Sequence, residues 1–293
     1  MNAIQTEGLT KFYGSSRGIL DLDLTVQEGE FYGFIGPNGA GKSTTIRTLL
    51  GLIRKTRGSA RVLGKDIAKE KEQILAETGY LPSEAVFYPD MRGRDLIRLS
   101  ADLHRKDCKK TSEELCERLQ LDPSRRIGEL SFGNRKKLAV ICALQHNPRL
   151  CILDEPTGGL DPLMQREFFD ILKERNRQGM TVFLSSHILS EIQRFCSRAA
   201  IIREGRIIAS GSVEELARTN AKRISIRGSF DPSGLPDVRD LQRSDDTVSF
   251  LYGGDINLLL ARLGKDPILD LTISEPDLEE IFLHYYTKGE EQP

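Results

Sequence analysis

Three observations in the sequence predict an α/β fold with a mixed central sheet, followed by a small C-terminal α+β domain. A glycine-rich loop joins an apolar strand to a helix within residues 31–52. A second apolar run, residues 150–155, ends in two acids, as buried strands of parallel sheets often do. Beyond residue 218, short segments alternate with period two. We therefore expect two domains, residues 1–218 and 219–293.

The first strands precede the glycine-rich loop. Residues 3–14 alternate weakly and include the aromatic pair Phe12 and Tyr13, which predicts an edge strand and a turn. Residues 22–26 alternate cleanly, and residues 31–35 are an aromatic and β-branched run suited to a buried strand. We therefore expect a β-rich front subdomain.

The glycine-rich loop, residues 36–44, matches the pattern G-x-x-x-x-G-K-[ST]. Its glycines let the backbone aim several N–H groups at one phosphate chain, and the following helix N-terminus adds partial positive charge. Lys42 would reach the β- and γ-phosphates, and the Ser43 hydroxyl would bind Mg²⁺. The bland alternative, a turn with a surface lysine, is disfavoured by the flanking strand and helix. The predicted nucleotide-binding residues are Gly36, Pro37, Asn38, Gly39, Ala40, Gly41, Lys42, Ser43 and Thr44.

Two acids end the apolar run. Asp154 would hold magnesium through water, and Glu155 would polarise the water that attacks the γ-phosphate. Strands that end in acids are common in α/β proteins, but the presence of a phosphate loop favours the catalytic interpretation. In the turn that follows, Asp161 is expected to cap a helix beginning at Pro162.

Further elements surround these motifs. Residues 66–77 predict a polar helix, residues 80–82 a short strand, and residues 94–145 a mostly helical section. Residues 181–185 predict another buried strand, and His187 follows its carboxyl end, where ligands of open α/β sheets gather. A lone histidine there is more often a turn residue, so its position alone does not make it catalytic.

Composition limits the partners of the protein. The formal net charge is −1 and no strip combines basic and aromatic residues, so no nucleic-acid partner is expected. No stretch reaches the roughly 18 apolar residues of a membrane helix, so membrane functions would belong to another chain. The five cysteines form no C-x-x-C pair, which indicates reduced thiols in a cytosolic protein.

A short polar turn at residues 130–135 opens another helix and contains Ser131 and Gly133. Helix N-termini bind anions, so this turn is a second predicted anion site. A chain with one phosphate loop does not need two such sites for one ATP, unless the second serves the nucleotide of a neighbouring copy.

In order and spacing, these motifs resemble those of the ATP-binding subunits of ABC transporters over residues 2–218. The resemblance implies a P-loop NTPase cassette with a helical signature subdomain, which binds ATP and Mg²⁺ and hydrolyses ATP. It makes Lys42, Glu155 and His187 catalytic, with His187 as the switch histidine, and it implies that Tyr13 stacks on adenine. The motifs are Walker A at residues 36–44, Walker B at 150–155, the D-loop at 158–161 with Asp161 as a nucleotide-site residue, and the signature, whose Ser131 and Gly133 would touch the γ-phosphate.

Two motifs depart from the family pattern. The signature is usually Leu-Ser-Gly-Gly-Gln, whereas Phe132 and Asn134 stand at its third and fifth positions here. The glutamine expected after residues 80–82 is replaced by Ser83 and Glu84. Glu84 could accept a hydrogen bond from magnesium-bound water, and either residue could take the role of the glutamine.

The C-terminal segment predicts strands at residues 223–227 and 247–251 and helices at residues 255–263 and 276–286. The last helix resembles the tail of ABC ATPases from multidrug, antibiotic-export and bacteriocin-immunity systems. An aromatic stripe in this tail is expected to pack in a core or a dimer rather than bind a ligand; it comprises Phe282, Tyr285 and Tyr286.

The expected function is that of a motor subunit that hydrolyses ATP to drive export of a drug, antibiotic peptide or similar compound through a separate membrane permease. Two copies, or this chain and a second cassette, would pair across two ATP sites at the inner face of the cell membrane. Residues 85–104 would receive the coupling helix of the permease there. One alternative is a soluble ABC ATPase that dimerises on a macromolecule, although such proteins usually carry two cassettes or a coiled-coil insertion. Another alternative is a regulator that binds nucleotide without hydrolysing it, and the presence of Glu155 and His187 argues against this alternative.

Overall fold

The computed structural model describes residues 1–14, 16–217, 221–244, 246–264 and 267–274. It divides into two units, Met1–Val213 and Glu214–Pro293. The strands are β1 (Asn2–Tyr13), β2 (Ser16–Gln27), β3 (Phe31–Ile35), β4 (Arg57–Val62), β5 (Lys65–Asp66), β6 (Thr78–Leu81), β7 (Leu150–Asp154), β8 (Thr181–Ser186), β9 (Arg198–Arg203), β10 (Arg206–Ser212), β11 (Lys222–Gly228), β12 (Val238–Ser244), β13 (Thr247–Tyr252) and β14 (Ile268–Ser274). The helices are α1 (Lys42–Leu49), α2 (Lys71–Glu77), α3 (Gly93–His104), α4 (Lys109–Arg118), α5 (Phe132–Leu144), α6 (Pro162–Arg177), α7 (Leu189–Phe195), α8 (Val213–Ala217) and α9 (Ile256–Leu263). The predicted helix at residues 276–286 and its aromatic stripe lie outside the described residues.

An antiparallel sheet forms the front of the first unit, with strand order β2-β1-β4-β5. The prediction that residues 3–14 form an edge strand is wrong, because β1 pairs with β2 on one side and β4 on the other. The sequence analysis did not recognise β4, whose strand begins Arg57-Gly58-Ser59 and has few of the β-branched residues that mark strands. The β-rich front subdomain itself is present.

The central sheet of the first unit has the order β10-β9-β3-β8-β7-β6 and is mixed. β9, β3, β8, β7 and β6 run parallel, and β10 pairs antiparallel with β9. Every residue of β3, β7 and β8 is buried, as expected for inner strands of a parallel sheet. The chain leaves these neighbouring strands at one edge of the sheet, so the three segments that follow them meet there.

The core of the first unit joins both sheets through α1. Ile46 and Leu49 of α1 are fully buried, in one apolar cluster with Leu9 of the front sheet and Phe183 of the central sheet. The helix that follows the phosphate loop is thus held between two sheets, which fixes the position of its N-terminus.

The helical section contains α3, α4 and α5, and α5 packs against both other helices and β6. The helix predicted at residues 66–77 is shorter than expected and begins at Lys71. Asp66 instead ends β5, and its side chain accepts a hydrogen bond from the Ala68 N–H at 2.8 Å, which stabilises a turn in place of a first helical turn. In the described part of the chain, no helix combines the length and apolar character needed to cross a membrane.

The second unit has an antiparallel sheet of order β12-β13-β11-β14. β11, β13 and α9 agree with the predicted segments, whereas β12 and β14 were not predicted. Ile224 and Phe250 of the sheet pack with Leu259 of α9 in a small apolar core. An α+β arrangement therefore accounts for the described residues of this unit.

Candidate active site

The phosphate loop lies between β3 and α1, as predicted. Gly39 and Gly41 have φ angles of 80° and 110°, values that residues with a Cβ atom rarely adopt. A Cβ atom at Gly36 would lie 2.5 Å from the Ile202 carbonyl oxygen, so the close approach of β9 requires glycine there. Glycine is therefore favoured at these three positions by backbone conformation or by packing.

Lys42 is almost completely buried in this loop. Its Nζ atom donates to the carbonyl oxygens of Gly36 at 2.6 Å and Pro37 at 3.2 Å. It also lies 3.1 Å from Oε1 of Glu155, in an ion pair whose direction is poor for a hydrogen bond. Lys42 is therefore held against the backbone of the phosphate loop, and its contact with phosphates stays a prediction.

Glu155 begins the segment after β7 in a left-handed backbone conformation, with φ of 50°. Its N–H donates to the Ser185 carbonyl oxygen at 3.1 Å. Its Oε2 atom lies 2.6 Å from Nδ1 of His187, so its two carboxylate oxygens face Lys42 and His187. The three predicted catalytic side chains are thus in contact. A non-glycine residue in this conformation is strained, and such strain clusters at functional sites.

Asp154, the last residue of β7, is fully buried. Its Oδ1 atom accepts a hydrogen bond from the Ser185 hydroxyl at 2.8 Å. Its buried Oδ2 atom makes no hydrogen bond within the described residues. A free carboxylate oxygen in this position fits the water shell of a magnesium ion, which keeps several waters and takes few protein ligands.

No cluster of three or more histidine, cysteine, aspartate or glutamate side chains in the described ranges could hold a metal. A magnesium ion at this site would therefore depend on hydroxyl, phosphate and water oxygens besides Asp154. Ser43, half-buried at the start of α1, offers such a hydroxyl. Glu84 is exposed and lines a groove with Phe87, Phe132 and other residues, so its predicted metal role remains a prediction.

Tyr13 lies beside the phosphate loop. A Cβ atom at Gly18 would meet both the Tyr13 ring and the Thr44 methyl group at 3.1 Å, which places these side chains on the same small residue. The ring is about half exposed, and the Lys11 ammonium lies 5.1 Å from its centroid. A half-exposed aromatic ring beside the phosphate loop is suited to stacking on a base.

The signature turn packs against the D-loop of its own chain. Ser131 is the N-cap of α5, because its hydroxyl accepts a hydrogen bond from the Asn134 N–H at 3.2 Å. The Phe132 ring lies directly on Gly159, where a Cβ atom would collide with it. A Cβ atom at Gly133 would come within 2.7 Å of the Gly159 carbonyl oxygen. One departure from the signature, Phe132, and one retained residue, Gly133, therefore meet the D-loop closely.

Asp161 caps α6, as predicted, by accepting a hydrogen bond from the Met164 N–H at 3.0 Å. The sequence analysis missed Lys136, which is buried and contacts the carbonyl oxygen of Glu155. A lysine within the apolar run of α5 was the available indication, since lysine is almost never fully buried without partners.

Comparisons with known proteins identify the family. Residues 19–158 match the family model described as ABC transporter. The chain is 35% identical to the bacitracin transport ATP-binding protein BcrA of Bacillus licheniformis over 297 aligned positions. This alignment covers 96% of each chain. The chain belongs to the ATP-binding proteins of ABC transporters. Its function is therefore to bind and hydrolyse ATP as a transporter subunit.

Other ABC proteins agree with this assignment. The chain is 29% identical to the linearmycin resistance ATP-binding protein LnrL of Bacillus subtilis, with 96% of this chain and 97% of that protein covered. A solved ATP-binding subunit of an ABC transporter is 30% identical with a TM-score of 0.70, covering 74% of this chain and 92% of the other. A dimeric cassette bound to ADP and Pi, 23% identical with a TM-score of 0.66, shares the fold over 72% of this chain and 98% of its own. The ABC cassette fold is thus confirmed.

Proposed function

We propose that this ABC protein powers export of an antibiotic peptide, drug or similar compound through a separate permease. The main support is the similarity to BcrA, named for bacitracin transport, because it extends over 96% of both chains and so includes the C-terminal unit. The similarity to LnrL, named for linearmycin resistance, extends equally far over this chain. Efflux is the simplest way in which an ATP-driven transporter confers resistance.

We assign the chemical roles from the contacts at the site. Glu155 orients the attacking water and accepts its proton, because its carboxylate lies at the meeting point of Lys42 and His187. Lys42 neutralises the β- and γ-phosphates, and His187 holds the carboxylate of Glu155 in place. Ser43 and Asp154 would hold Mg²⁺, which supplies further neutralisation of phosphate charge when bound.

A homodimer would complete two such sites. Ser131 is exposed at the N-terminus of α5, and the Gly133 N–H belongs to the same helix start. The Ser131 hydroxyl accepts from the Asn134 N–H and can still donate its own proton, so this helix N-terminus is suited to the γ-phosphate of a second copy. In this arrangement each nucleotide lies between the phosphate loop of one copy and the signature of the other.

Exposed apolar side chains within residues 85–104 would receive the permease. Val86, Tyr88 and Leu103 have 85%, 74% and 76% of their surface exposed. Large apolar side chains at this exposure are typical of binding surfaces, and they lie within the segment in which the family receives a coupling helix. Docking there would hold the protein at the inner face of the membrane.

A resistance assay tests the export function. The chain would be expressed with the permease encoded beside its gene, in a host sensitive to peptide antibiotics such as bacitracin. Wild-type protein should raise the inhibitory concentration, and Glu155→Gln, expressed at the same level, should not. Equal resistance from both proteins, or no resistance against any peptide antibiotic, drug or similar compound tested, would contradict the proposal. The similarities favour this function over action on a ribosome or DNA.

A further inference from the structure

Lys136 is a lysine with about 1% of its surface exposed, one turn and a half after Ser131 on α5. Lysine is almost never fully buried without partners, because an unpaired charge loses much hydration energy. Burial lowers the pKa of Lys136 to about 8, and the nearby charges of Asp154 and Glu155 oppose this change. Burying a lysine at this position therefore costs folding free energy that an apolar side chain would not cost.

The ammonium of Lys136 has a full set of acceptors. Its Nζ atom lies 3.0 Å from the carbonyl oxygens of Pro82 and Ser83 and 3.3 Å from that of Glu155. An ammonium group has three donors, so these carbonyl groups match its capacity. Two of them belong to the loop after β6 and the third to the residue after β7. A single side chain thus joins the signature helix to two loops of the central sheet.

The contact to Glu155 acts on its strained backbone. The Glu155 N–H is bound to Ser185, and its carbonyl group is bound to Lys136. These two bonds hold the backbone on both sides of its Cα atom, in the left-handed conformation with φ of 50°. Such a conformation persists only where the surroundings enforce it, and it sets the direction in which the carboxylate points.

We propose that Lys136 is a positioning residue for ATP hydrolysis, which holds the backbone of Glu155 and the Pro82–Ser83 turn in register with the signature helix. The inference depends on the proposed role of Glu155 as the base. Movement of α5, as a partner copy binds at Ser131, would be passed through Lys136 to both loops. Lys136 itself touches neither nucleotide nor water in this account.

Kinetics separate positioning from a plain packing role. Lys136→Met keeps the length of the side chain and removes its donors. It should lower kcat by about tenfold or more, since small misplacements of a catalytic group are costly. KM for ATP should stay within about twofold, because the phosphate loop is untouched. Lys136→Arg, which keeps a charge and several donors, should recover part of the loss.

Lys106→Met is the matched control. Lys106 also donates to a carbonyl oxygen, that of His146 at 2.8 Å, but His146 lies beyond the C-terminal end of α5, away from the signature turn. Its loss should leave kcat unchanged. If Lys136→Met does not fold, Lys136→Gln carries the same comparison. Failure of both variants to fold would overturn the proposal, since Lys136 would then serve folding.

A double variant tests whether Lys136 acts through Glu155. In a Glu155→Gln background, Lys136→Met should lower the single-turnover rate by less than about twofold, because the positioned base is already absent. Two results would overturn this inference while leaving the proposed base in place. One is the same proportional loss of rate from Lys136→Met in both backgrounds, and the other is a wild-type kcat for Lys136→Met when Glu155→Gln is slow. A wild-type rate for Glu155→Gln by itself would instead remove the proposed base.

Discussion

The ammonium of Lys42 lies 3.1 Å from the carboxylate of Glu155, within a site where both side chains are largely shielded from water. Lys42, which we assign to the phosphates, thus forms an ion pair with Glu155, which we assign to the attacking water. The γ-phosphate of ATP would compete for Lys42 and free one oxygen of Glu155, while His187 keeps the other. Binding of substrate would therefore prepare the base.

Replacing Tyr13 by alanine should weaken ATP binding. Loss of a base–aromatic stack costs about 1–3 kcal/mol, or roughly 5- to 150-fold in Kd. ATP and GTP should be affected alike, since an aromatic face does not read exocyclic groups. Isothermal titration measures both, with Phe12→Ala as the control on the neighbouring ring. Unchanged affinity in Tyr13→Ala would move the stacking role to Phe12 or elsewhere.

Sharing of sites between two copies is tested by mixing variants. Lys42→Ala damages a phosphate loop, and Ser131→Arg damages a signature. In their heterodimer one composite site carries both changes and the other carries neither. The mixture should hydrolyse ATP at a rate that neither variant reaches alone, measured as phosphate release. No rescue at any mixing ratio would count against shared sites, unless turnover strictly needs both of them.

Magnesium dependence tests the free oxygen of Asp154. Asp154→Asn keeps a partner for the Ser185 hydroxyl but removes the charge near Oδ2. The magnesium concentration for half-maximal hydrolysis should rise by about tenfold or more, as expected for loss of a charge–water contact of roughly 1.4 kcal/mol or more. Chelation should stop the wild-type reaction. An unchanged magnesium titration in the variant would remove Asp154 from the proposed metal site.

The buried His146 should make stability sensitive to acid. Burial lowers its pKa to about 3, and repulsion by the charge of His104, whose ring stacks on it, is the next cause. In the unfolded chain this histidine binds a proton near pH 6.5, whereas in the folded chain it stays neutral down to about pH 3. The free energy of unfolding is therefore highest above pH 6.5 and falls as the pH is lowered from 6.5 towards 3.

The expected loss from His146 between pH 7 and pH 5 is roughly 2 kcal/mol. Urea unfolding at both values measures it, and His146→Phe should lose correspondingly less. If His146→Phe and wild type lose the same stability on acidification, the protonation account of His146 is wrong.

Much of the site was predictable because each motif follows an apolar strand. Lys42 and His187 follow β3 and β8, and Asp154 ends β7; these three strands are neighbours in the central sheet. The hydrophobic periodicity and the residue types identify such strands from local sequence. Because the carboxyl ends of neighbouring parallel strands lie at the same edge of a sheet, the motifs that end or follow them are expected to meet. The predicted cap at Asp161 was confirmed for the same reason, since capping is local.

Long-range partners were not predictable in the same way. The place of β1 inside its sheet depends on β4, whose sequence does not read as a strand. The contacts of Lys136 join segments that are 53 and 19 residues away, so no local pattern contains them. The packing of Phe132 on Gly159 was not predictable either, because the D-loop is distant in sequence and reaches the signature turn only in the folded chain.

The assignment of Glu155 as the base has the most direct test. Glu155→Gln keeps the shape of the side chain and removes the charge that draws a proton from water. Lys42→Ala should lose affinity for the phosphates. With ATP and Mg²⁺, size-exclusion chromatography should show Glu155→Gln as a dimer held by uncleaved ATP and Lys42→Ala as a monomer.

The deciding measurement is the hydrolysis rate of Glu155→Gln at saturating ATP. We predict normal ATP binding with a rate lower than wild type by about 10² or more, the scale of a positioned general base. Hydrolysis at the wild-type rate would contradict the account, and the base would then have to be His187 or a water network.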